Sequence, residues 1–176
     1  MKHVLKVLAL VIATGMMVAF GNRNVHSALF KNNDEDKERT EILKLIEMES
    51  KAFWDKDYDA WASCWVQAPY IRTMGWWERG GITVVNGWEE RGPRTKAHMK
   101  ENPEPNPQNV VRENINMRIY HDAAWVTFDQ YGKDTGEPDM DMPGLSRETR
   151  FLEKHDGQWK IVYVGWLLEG EAQSKK

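Results

Sequence analysis

Asp156-Gly157-Gln158-Trp159-Lys160-Ile161-Val162 is the stretch that decides the fold of this chain. Asp-Gly is a strong signal for a two-residue hairpin turn, because both central positions of that turn require a positive φ. Apolar residues flank the turn on both sides, so we predict an antiparallel hairpin made of strands Ser146–Lys154 and Trp159–Leu168. The last third of the chain is therefore expected to be β-sheet.

A second hairpin is predicted just upstream of this one. Val110–Tyr120 alternates between apolar and polar residues, and His121-Asp122 is the expected turn. Pairing across that turn sets Ala124, Val126 and Phe128 of the return strand opposite apolar residues of the first strand, in the order Ile119, Met117 and Ile115. The same alternation places Glu113 on this apolar face and Arg112 on the other.

Three helices are predicted in the first half of the chain, with a short strand pair between the second and the third. The helices are Thr40–Trp54, a second that Asp57 caps and Pro69 ends, and roughly Trp88–Lys100; the strands are Tyr70–Trp77 and Ile82–Val85. Helices first and a curled meander last predict an α+β, cone-shaped fold. In this fold the N-terminal helices pack in a strongly curved, mostly antiparallel sheet around a pocket.

Composition limits the classes of function. A length of 176 residues suits one domain, and a net charge of −3 supplies no basic surface for nucleic acid. Nine tryptophans are many for this length and favour an aromatic ligand pocket or an interface beside the core. Cys64 is the single cysteine, and its helical spacing predicts a buried, unreactive side chain. No cofactor and no metal site is predicted, because the sequence has no phosphate-binding glycine loop and no His pair at ligand spacing.

The first residues are typical of an export signal. Lys2, His3 and Lys6 precede the uncharged apolar run Val7–Phe20, which is short for a membrane span. Val25-His26-Ser27 has a small-residue cleavage pattern; cleavage after Ala19 and an uncleaved membrane anchor are the alternatives. We therefore expect a signal peptide over residues 1–27, a linker over 28–37, the cone domain over 38–170 and a disordered tail over 171–176. The mature protein is then periplasmic or secreted and free of the membrane.

The last hairpin predicts two sheet faces with different roles. Strict alternation across Asp156-Gly157 sets Leu152 opposite Ile161 and Arg150 opposite Tyr163. The other face then holds four further apolar residues, Phe151, Val162, Val164 and Trp166. Strands that are apolar on both faces are usually covered on both. We expect helices to cover one face and a second subunit to cover the other, which makes the protein a homodimer through its outer sheet face.

The candidate site residues are polar side chains predicted among apolar neighbours. Glu113 is a candidate general base, Arg150 and Tyr163 are candidates for holding an anion or a carbonyl, and His98 is the fourth catalytic candidate. The residues expected to line a ligand pocket are Arg72, Trp76, Trp88, Gln130, Arg150 and Tyr163. The alternative is structural: strand ends in solvent or an internal ion pair for the polar set, and core or dimer contacts for the tryptophans.

Four features together resemble the nuclear transport factor 2-like superfamily, in particular its SnoaL-like and kinase-association-domain-like exported bacterial members. They are the helix Glu41–Trp54 followed by the link Lys56–Trp61, the glycine of Gly87-Trp88-Glu89-Glu90, the strand Ala123–Val126 and the hairpin Asp156–Ile161. The resemblance spans roughly residues 38–170. It implies a cone-shaped fold with a pocket at its wide end and, commonly, dimers. It implies no particular function, because this fold hosts enzymes and binding modules alike.

The resemblance also implies where one branch of the superfamily carries its catalytic groups. Ketosteroid isomerases use an aspartate base and a tyrosine oxyanion donor, and these positions fall at about Thr73 and near Glu49 in this chain. Neither residue matches, so that mechanism is not expected.

Three functional hypotheses remain open at this point. The first is an exported protein that binds a small organic ligand, the second a lyase, isomerase or hydrolase acting on such a molecule, and the third a dimeric interaction module. A cavity with a convergent carboxylate and donor favours the enzyme. An apolar aromatic cavity favours binding alone, and a cavity filled by Trp side chains favours the interaction module.

Overall fold

The computed structural model describes residues 34–77, 81–108, 110–132 and 145–168. The chain divides into two compact units, Met1–Thr40 and Glu41–Lys176. In the first unit the described residues, 34–40, are helical. The predicted signal peptide and tail lie outside the described residues, and the predicted domain boundaries stay predictions.

The predicted helices are present, but the first begins earlier than expected and the second ends at Ser63, before the expected end at Pro69. Helix α1 is described over residues 34–54, α2 over Tyr58–Ser63 and α3 over Trp88–Glu101. Thr40, the expected cap of α1, lies inside the helix and its Oγ donates to the Asp36 carbonyl at 2.8 Å. Asp57 caps α2 as predicted, accepting from the Ala60 N–H at 3.0 Å. None of the described helices is both long and apolar enough to cross a membrane.

Six strands form one curved sheet, as the sequence predicts. They are β1 (Arg72–Trp77), β2 (Gly81–Asn86), β3 (Val110–Tyr120), β4 (Ala123–Gly132), β5 (Leu145–His155) and β6 (Gln158–Leu168). The strand order is β2-β1-β6-β5-β4-β3, and every neighbouring pair is antiparallel except β1 with β6. The predicted α+β class and the mostly antiparallel sheet are confirmed.

The helices of the second unit cover one face of this sheet, here called the inner face. Its core joins apolar residues of α1 and α2 to alternate residues of β4, β5 and β6, among them Ile46, Trp61, Val126, Leu152 and Ile161. All five are almost fully buried. The opposite side, here called the outer face, carries the intervening residues of each strand. The inner face is therefore where a pocket enclosed by helices and sheet can form.

A bulge in β6 corrects the predicted register of the last hairpin. Leu152 pairs with Ile161 as predicted, but Phe151 pairs with Tyr163, which leaves Val162 as an extra residue. Beyond the bulge the facing reverses: Arg150 pairs with Val164, and both lie on the inner face. The predicted pairing of Arg150 with Tyr163 is therefore wrong, because Tyr163 lies on the outer face.

A bulge in β3 corrects the predicted placement of Glu113. Ile119 pairs with Ala124 and Met117 with Val126 as predicted, but the register shifts between Glu113 and Asn116. Asn114 has a φ of 53°, a left-handed conformation that asparagine tolerates better than most residues. As a result Glu113 pairs with Asp129 on the outer face and is exposed, whereas Arg112 turns inward and pairs with Gln130. Glu113 therefore cannot act as a base in an inner pocket.

Candidate functional site

A cavity of about 520 Å³ lies between the helices and the inner face of the sheet. We call it the cone cavity. Its wall is made by side chains of α1, α3, β4, β5 and β6. They are Glu49, Ser50, Phe53, Trp54, Arg91, His98, Gln130, Ser146, Glu148, Arg150, Val164, Trp166 and Leu168.

Helical and strand periodicity explain why these side chains converge. Glu49 and Phe53 are four residues apart on α1, so they share one helix face. On β5, Ser146, Glu148 and Arg150 alternate with outward-facing neighbours, so all three point to the inner face. The cavity therefore has a polar side made by β5 and an apolar side made by β6 together with Phe53 and Trp54 of α1.

The polar side chains of β5 bind one another. The Ser146 Oγ donates to Glu148 Oε1 at 2.5 Å, and the Arg150 Nη1 donates to Glu148 Oε2 at 2.7 Å. The same Nη1 also donates to the Thr149 carbonyl at 3.1 Å, while the buried Arg150 Nε has no partner. Glu148 is 6% exposed and Arg150 4% exposed, so this ion pair is withdrawn from solvent. Glu148 and Arg150 thus form an internal ion pair, as the structural alternative for the polar residues expects.

A second arginine enters the cavity from α3. The Arg91 guanidinium lies 5.1 Å from the ring centre of Trp61 and 5.3 Å from that of Trp65. Its buried Nε has no hydrogen-bond partner. Burial lowers the pKa of Arg91, the charge of Glu49 acts in the opposite direction, and the charges of Arg94 and Arg150 lower it further. Arg91 is a cation in a largely desolvated place.

Glu49 is the second carboxylate of the cavity. Its Oε1 accepts from the Trp61 Nε1 at 2.9 Å, and this bond fixes the carboxylate on α1. Glu49 is 7% exposed. The cone cavity therefore brings two carboxylates and two guanidinium groups together against aromatic and aliphatic side chains.

The structure gathers three of the predicted site residues at this cavity. Gln130 and Arg150 line its polar side, and His98 lines it from α3, stacked on Phe53 with ring centres 5.7 Å apart. Trp88 lies instead in the core, stacked on Trp61 at 5.7 Å. Whether Gln130, Arg150 and His98 act on a ligand stays a prediction.

The other predicted site residues lie on the outer face. Arg72 pairs with Tyr163 across β1 and β6, and Trp76 follows on the same face of β1. Tyr163 lies over Gly165, where an added Cβ would stand 2.7 Å from the tyrosine hydroxyl. Arg72, Trp76, Tyr163 and Glu113 therefore cannot share a pocket with Arg150, because the sheet separates them.

The outer face has a groove of its own, of about 590 Å³. Exposed apolar side chains on its wall include Met74, Trp76, Ile82 and Leu167. Of the residues predicted to form a dimer surface, Phe151 lies on the outer face and is half-buried. Trp166 belongs to the inner face and Val162 is almost fully buried, so these two residues do not offer the exposed outer surface that was expected of them.

Sequence reasoning missed Arg91 and Glu49 as site residues, although both carry a readable signal. Glu49 occupies a position in the apolar stripe of α1 that includes Ile42, Leu45 and Ile46. Arg91 lies three residues after Trp88 and four before the buried Thr95. A charged residue within a buried helical stripe is uncommon, and it marks either a pairing partner or a site.

Cys64 has the inert character predicted for it. It is fully buried, its Sγ lies 3.3 Å from the Ala60 carbonyl, and burial followed by the charge of Glu49 raises the pKa of its thiol to about 12. At neutral pH it is therefore a neutral core residue. In the part of the chain that the structure describes, no group of three His, Cys, Asp or Glu residues is arranged to hold a metal ion.

Comparison with solved structures identifies the fold. An NTF2-like protein with a cystatin-like fold from Novosphingobium aromaticivorans matches with a TM-score of 0.59 at 14% identity, over 84% of this chain and 92% of the other. The association domain of CaMKII from C. elegans matches with a TM-score of 0.58 at 19% identity, over 76% and 98%. An NTF2-like protein of unknown function from Pseudomonas putida matches with a TM-score of 0.58 at 16% identity, over 80% and 93%.

These likenesses show the fold and nothing finer. The chain has the NTF2-like, cystatin-like fold, which confirms the fold that the resemblance implies. No protein-family model matches the sequence. No curated protein matches it either.

Proposed function

We propose that the protein binds a small organic ligand in the cone cavity. The observation that carries this proposal is a pair of buried donors, the Nε atoms of Arg91 and Arg150, which have no partner and belong to side chains lining one cavity. Leaving a buried donor unpaired costs about 1–3 kcal/mol, so a ligand acceptor that reaches these atoms recovers that energy. The cavity volume of about 520 Å³ lies in the range typical of ligand sites.

The apolar side of the cavity supports the same proposal. Phe53 and Trp54 of α1 and Val164, Trp166 and Leu168 of β6 offer rings and aliphatic groups to the body of a ligand. Burial of apolar surface stabilises such a complex by roughly 25 cal/mol per Å². The ligand we propose therefore has an apolar or aromatic body and at least one hydrogen-bond acceptor.

An enzymatic reaction in the cavity is the second candidate, and Glu49 is the observation that favours it. Trp61 holds one carboxylate oxygen, and no described residue donates to the other. A carboxylate with one oxygen free of described donors, in a cavity that arginine side chains also line, is suited to proton transfer beside a carbonyl. In that case the purified protein converts its ligand to a product of different mass, and Glu49→Gln stops the conversion without releasing the ligand.

We further propose that the mature protein is exported and dimeric. Export rests on the basic start and apolar run of the sequence, Lys2–Phe20. Dimerisation rests on the outer face, where Trp76 is 41% exposed and Leu167 is 57% exposed beside Met74 and Ile82. A contiguous apolar patch of this kind is the usual mark of an interface.

The binding proposal is tested with the neutral dye N-phenyl-1-naphthylamine, whose fluorescence rises in an apolar cavity. Two neighbouring residues of β6 supply matched variants, because Leu168 lines the cone cavity and Leu167 lines the outer groove. We expect the unchanged protein and Leu167→Trp to bind the dye with similar affinity. Leu168→Trp, which fills the cone cavity, should weaken binding at least about tenfold, or about 1.4 kcal/mol.

Two results would overturn the proposal. One is the absence of saturable dye binding by the unchanged protein. The other is a loss of binding in Leu167→Trp together with its survival in Leu168→Trp, which would move the site to the outer groove. Circular dichroism melts of both variants establish that each is folded before the titrations are compared.

A further inference from the structure

We propose that the ligand of the cone cavity carries a carboxylate group that binds between Arg91 and Arg150. This inference rests on the proposed binding function and adds the chemical class of the ligand. It follows from which guanidinium nitrogens of Arg150, Arg91 and Arg112 have hydrogen-bond partners in the protein and which do not.

Arg150 presents one unused edge of its guanidinium. Both of its hydrogen bonds to described residues, to Glu148 Oε2 and to the Thr149 carbonyl, leave from Nη1. Nε is buried without a partner, and Nε and Nη2 form the side edge of the guanidinium. That edge has two parallel N–H groups at the spacing of the two oxygens of a carboxylate. The ion pair with Glu148 therefore holds Arg150 in place and leaves its two-pronged edge without a hydrogen-bond partner among the described residues.

Arg91 adds a second cation with unused donors. In the described part of the chain its guanidinium forms no hydrogen bond or ion pair, and it lies over the rings of Trp61 and Trp65. Arg91 and Arg150 line the same cavity, and the pKa of Arg91 is lowered by burial first and also by the charge of Arg150. Two cations that repel each other in a desolvated place are stabilised by an anion bound between them.

The carboxylates of the cavity leave this anion position open. Both oxygens of Glu148 accept hydrogen bonds, from Ser146 and Arg150, and one oxygen of Glu49 accepts from the indole of Trp61. Glu49 influences Arg91 by its charge, but the two form no ion pair within 4.0 Å. A ligand carboxylate therefore supplies the hydrogen-bond acceptors that the Arg91 guanidinium lacks.

Arg112 shows what a fully satisfied arginine looks like in this fold. Its Nε donates to the Gln130 Oε1 at 2.9 Å and its Nη2 to the Ser50 Oγ at 2.8 Å, while Nη1 binds the Glu47 carboxylate. All three nitrogens are engaged by protein groups, so no edge is left for a ligand. Arg112 is thus a matched control for Arg91 and Arg150.

The test measures the affinity of benzoate and of its neutral analogue benzamide, each by displacement of N-phenyl-1-naphthylamine from the folded protein at neutral pH. We expect benzoate to bind at least about tenfold more tightly than benzamide. Arg91→Gln and Arg150→Lys should each remove about tenfold of benzoate affinity and change benzamide affinity by less than about twofold. Arg112→Lys should leave both affinities within about twofold.

Arg150→Lys keeps a positive charge beside Glu148 and removes the two-pronged edge, so a loss of benzoate binding reports geometry as well as charge. Arg91→Lys serves in the same way if Arg91→Gln does not fold. Equal affinities for benzoate and benzamide, or failure of both to displace the dye, overturn the carboxylate inference and leave dye binding in the cavity intact. Absence of dye binding itself overturns the binding proposal instead.

Discussion

Gly75 of β1 makes room for Trp166, which forms part of the cavity wall. A Cβ added at Gly75 would lie 2.0 Å from the nearest atom of the Trp166 indole, far inside van der Waals contact. The two residues pair across the parallel β1 and β6 strands, so the indole lies over the glycine on the inner face. The position of Trp166, and with it the shape of the cavity, depends on Gly75 having no side chain.

We predict that Gly75→Ala lowers the free energy of unfolding by about 1–3 kcal/mol, because the indole must leave its place. The same change should weaken binding of N-phenyl-1-naphthylamine. Urea denaturation followed by tryptophan fluorescence measures the first effect. In a protein that already carries Trp166→Ala, adding Gly75→Ala should lower the free energy of unfolding only slightly, because the indole that the new methyl group would meet is absent. A single variant as stable as the unchanged protein would show that Trp166 is not confined there.

The Glu148–Arg150 pair gives a second prediction at this scale. Arg150→Met leaves the Glu148 carboxylate buried with Ser146 as its one remaining hydrogen-bond donor. An uncompensated buried charge costs about 3–5 kcal/mol, and we expect a loss of that size in urea denaturation. Lys51→Ala, which breaks the exposed pair of Lys51 with Asp55, should cost less than about 1 kcal/mol. Similar losses in both variants would mean that the inner pair is solvated.

Most of the strand pairing could be predicted from the sequence, but the predicted register was wrong at one bulge in β6 and one in β3. Alternation correctly paired Leu152 with Ile161 and Met117 with Val126. It failed beyond Val162 and before Asn114, because one extra residue in a strand reverses the facing of all that follows. The sequence gives no sign of the bulge at Val162, because Ile161, Val162 and Val164 are all apolar and alternation alone does not show which of them is the extra residue. These two bulges placed Tyr163 and Glu113 on the outer face and turned Arg112 to the inner face, where protein groups engage all of its nitrogens.

The β5–β6 turn gives a prediction for an element that the sequence described correctly. Asp156 has a φ of 50° and Gly157 a φ of 77°, as the Asp-Gly hairpin signal requires. Nothing lies within 4 Å of a Cβ added at Gly157, so Gly157→Ala tests backbone strain alone. We expect a loss of about 1–2 kcal/mol in urea denaturation. Gly157→Asn should lose clearly less, because asparagine tolerates this conformation; equal losses would argue against a left-handed turn residue.

At the scale of the whole molecule, the order of elements predicted the fold, whereas the site depended on tertiary placement. Helices before a meander sufficed for the α+β class and the curved sheet. Arg91 and Glu49 became site residues only when α1 and α3 were set against β5 and β6. The cavity that results holds carboxylates and hydrogen-bond donors together. Because a convergent carboxylate and donor favour an enzyme, the enzyme hypothesis stands beside ligand binding.

Assembly is tested on the mature protein in solution. We predict that light scattering gives twice the chain mass that mass spectrometry finds for the same sample. That chain should begin at Ala28, the residue that follows the predicted cleavage pattern. Trp76→Glu places a charge in the exposed apolar patch of the outer face and should yield monomers. A monomeric unchanged protein would contradict the dimer, and an intact N-terminus would contradict cleavage.

The most direct test of the central claim is native mass spectrometry of the protein purified from its own host. If the cone cavity is a ligand site, the unchanged protein and Leu167→Trp should each retain a small organic molecule, seen as added mass that collisional activation removes. Leu168→Trp, with the cavity filled, should appear at the mass of the bare chain. A bare unchanged protein, or a molecule retained equally by Leu168→Trp, would contradict a ligand site between the helices and the inner face of the sheet.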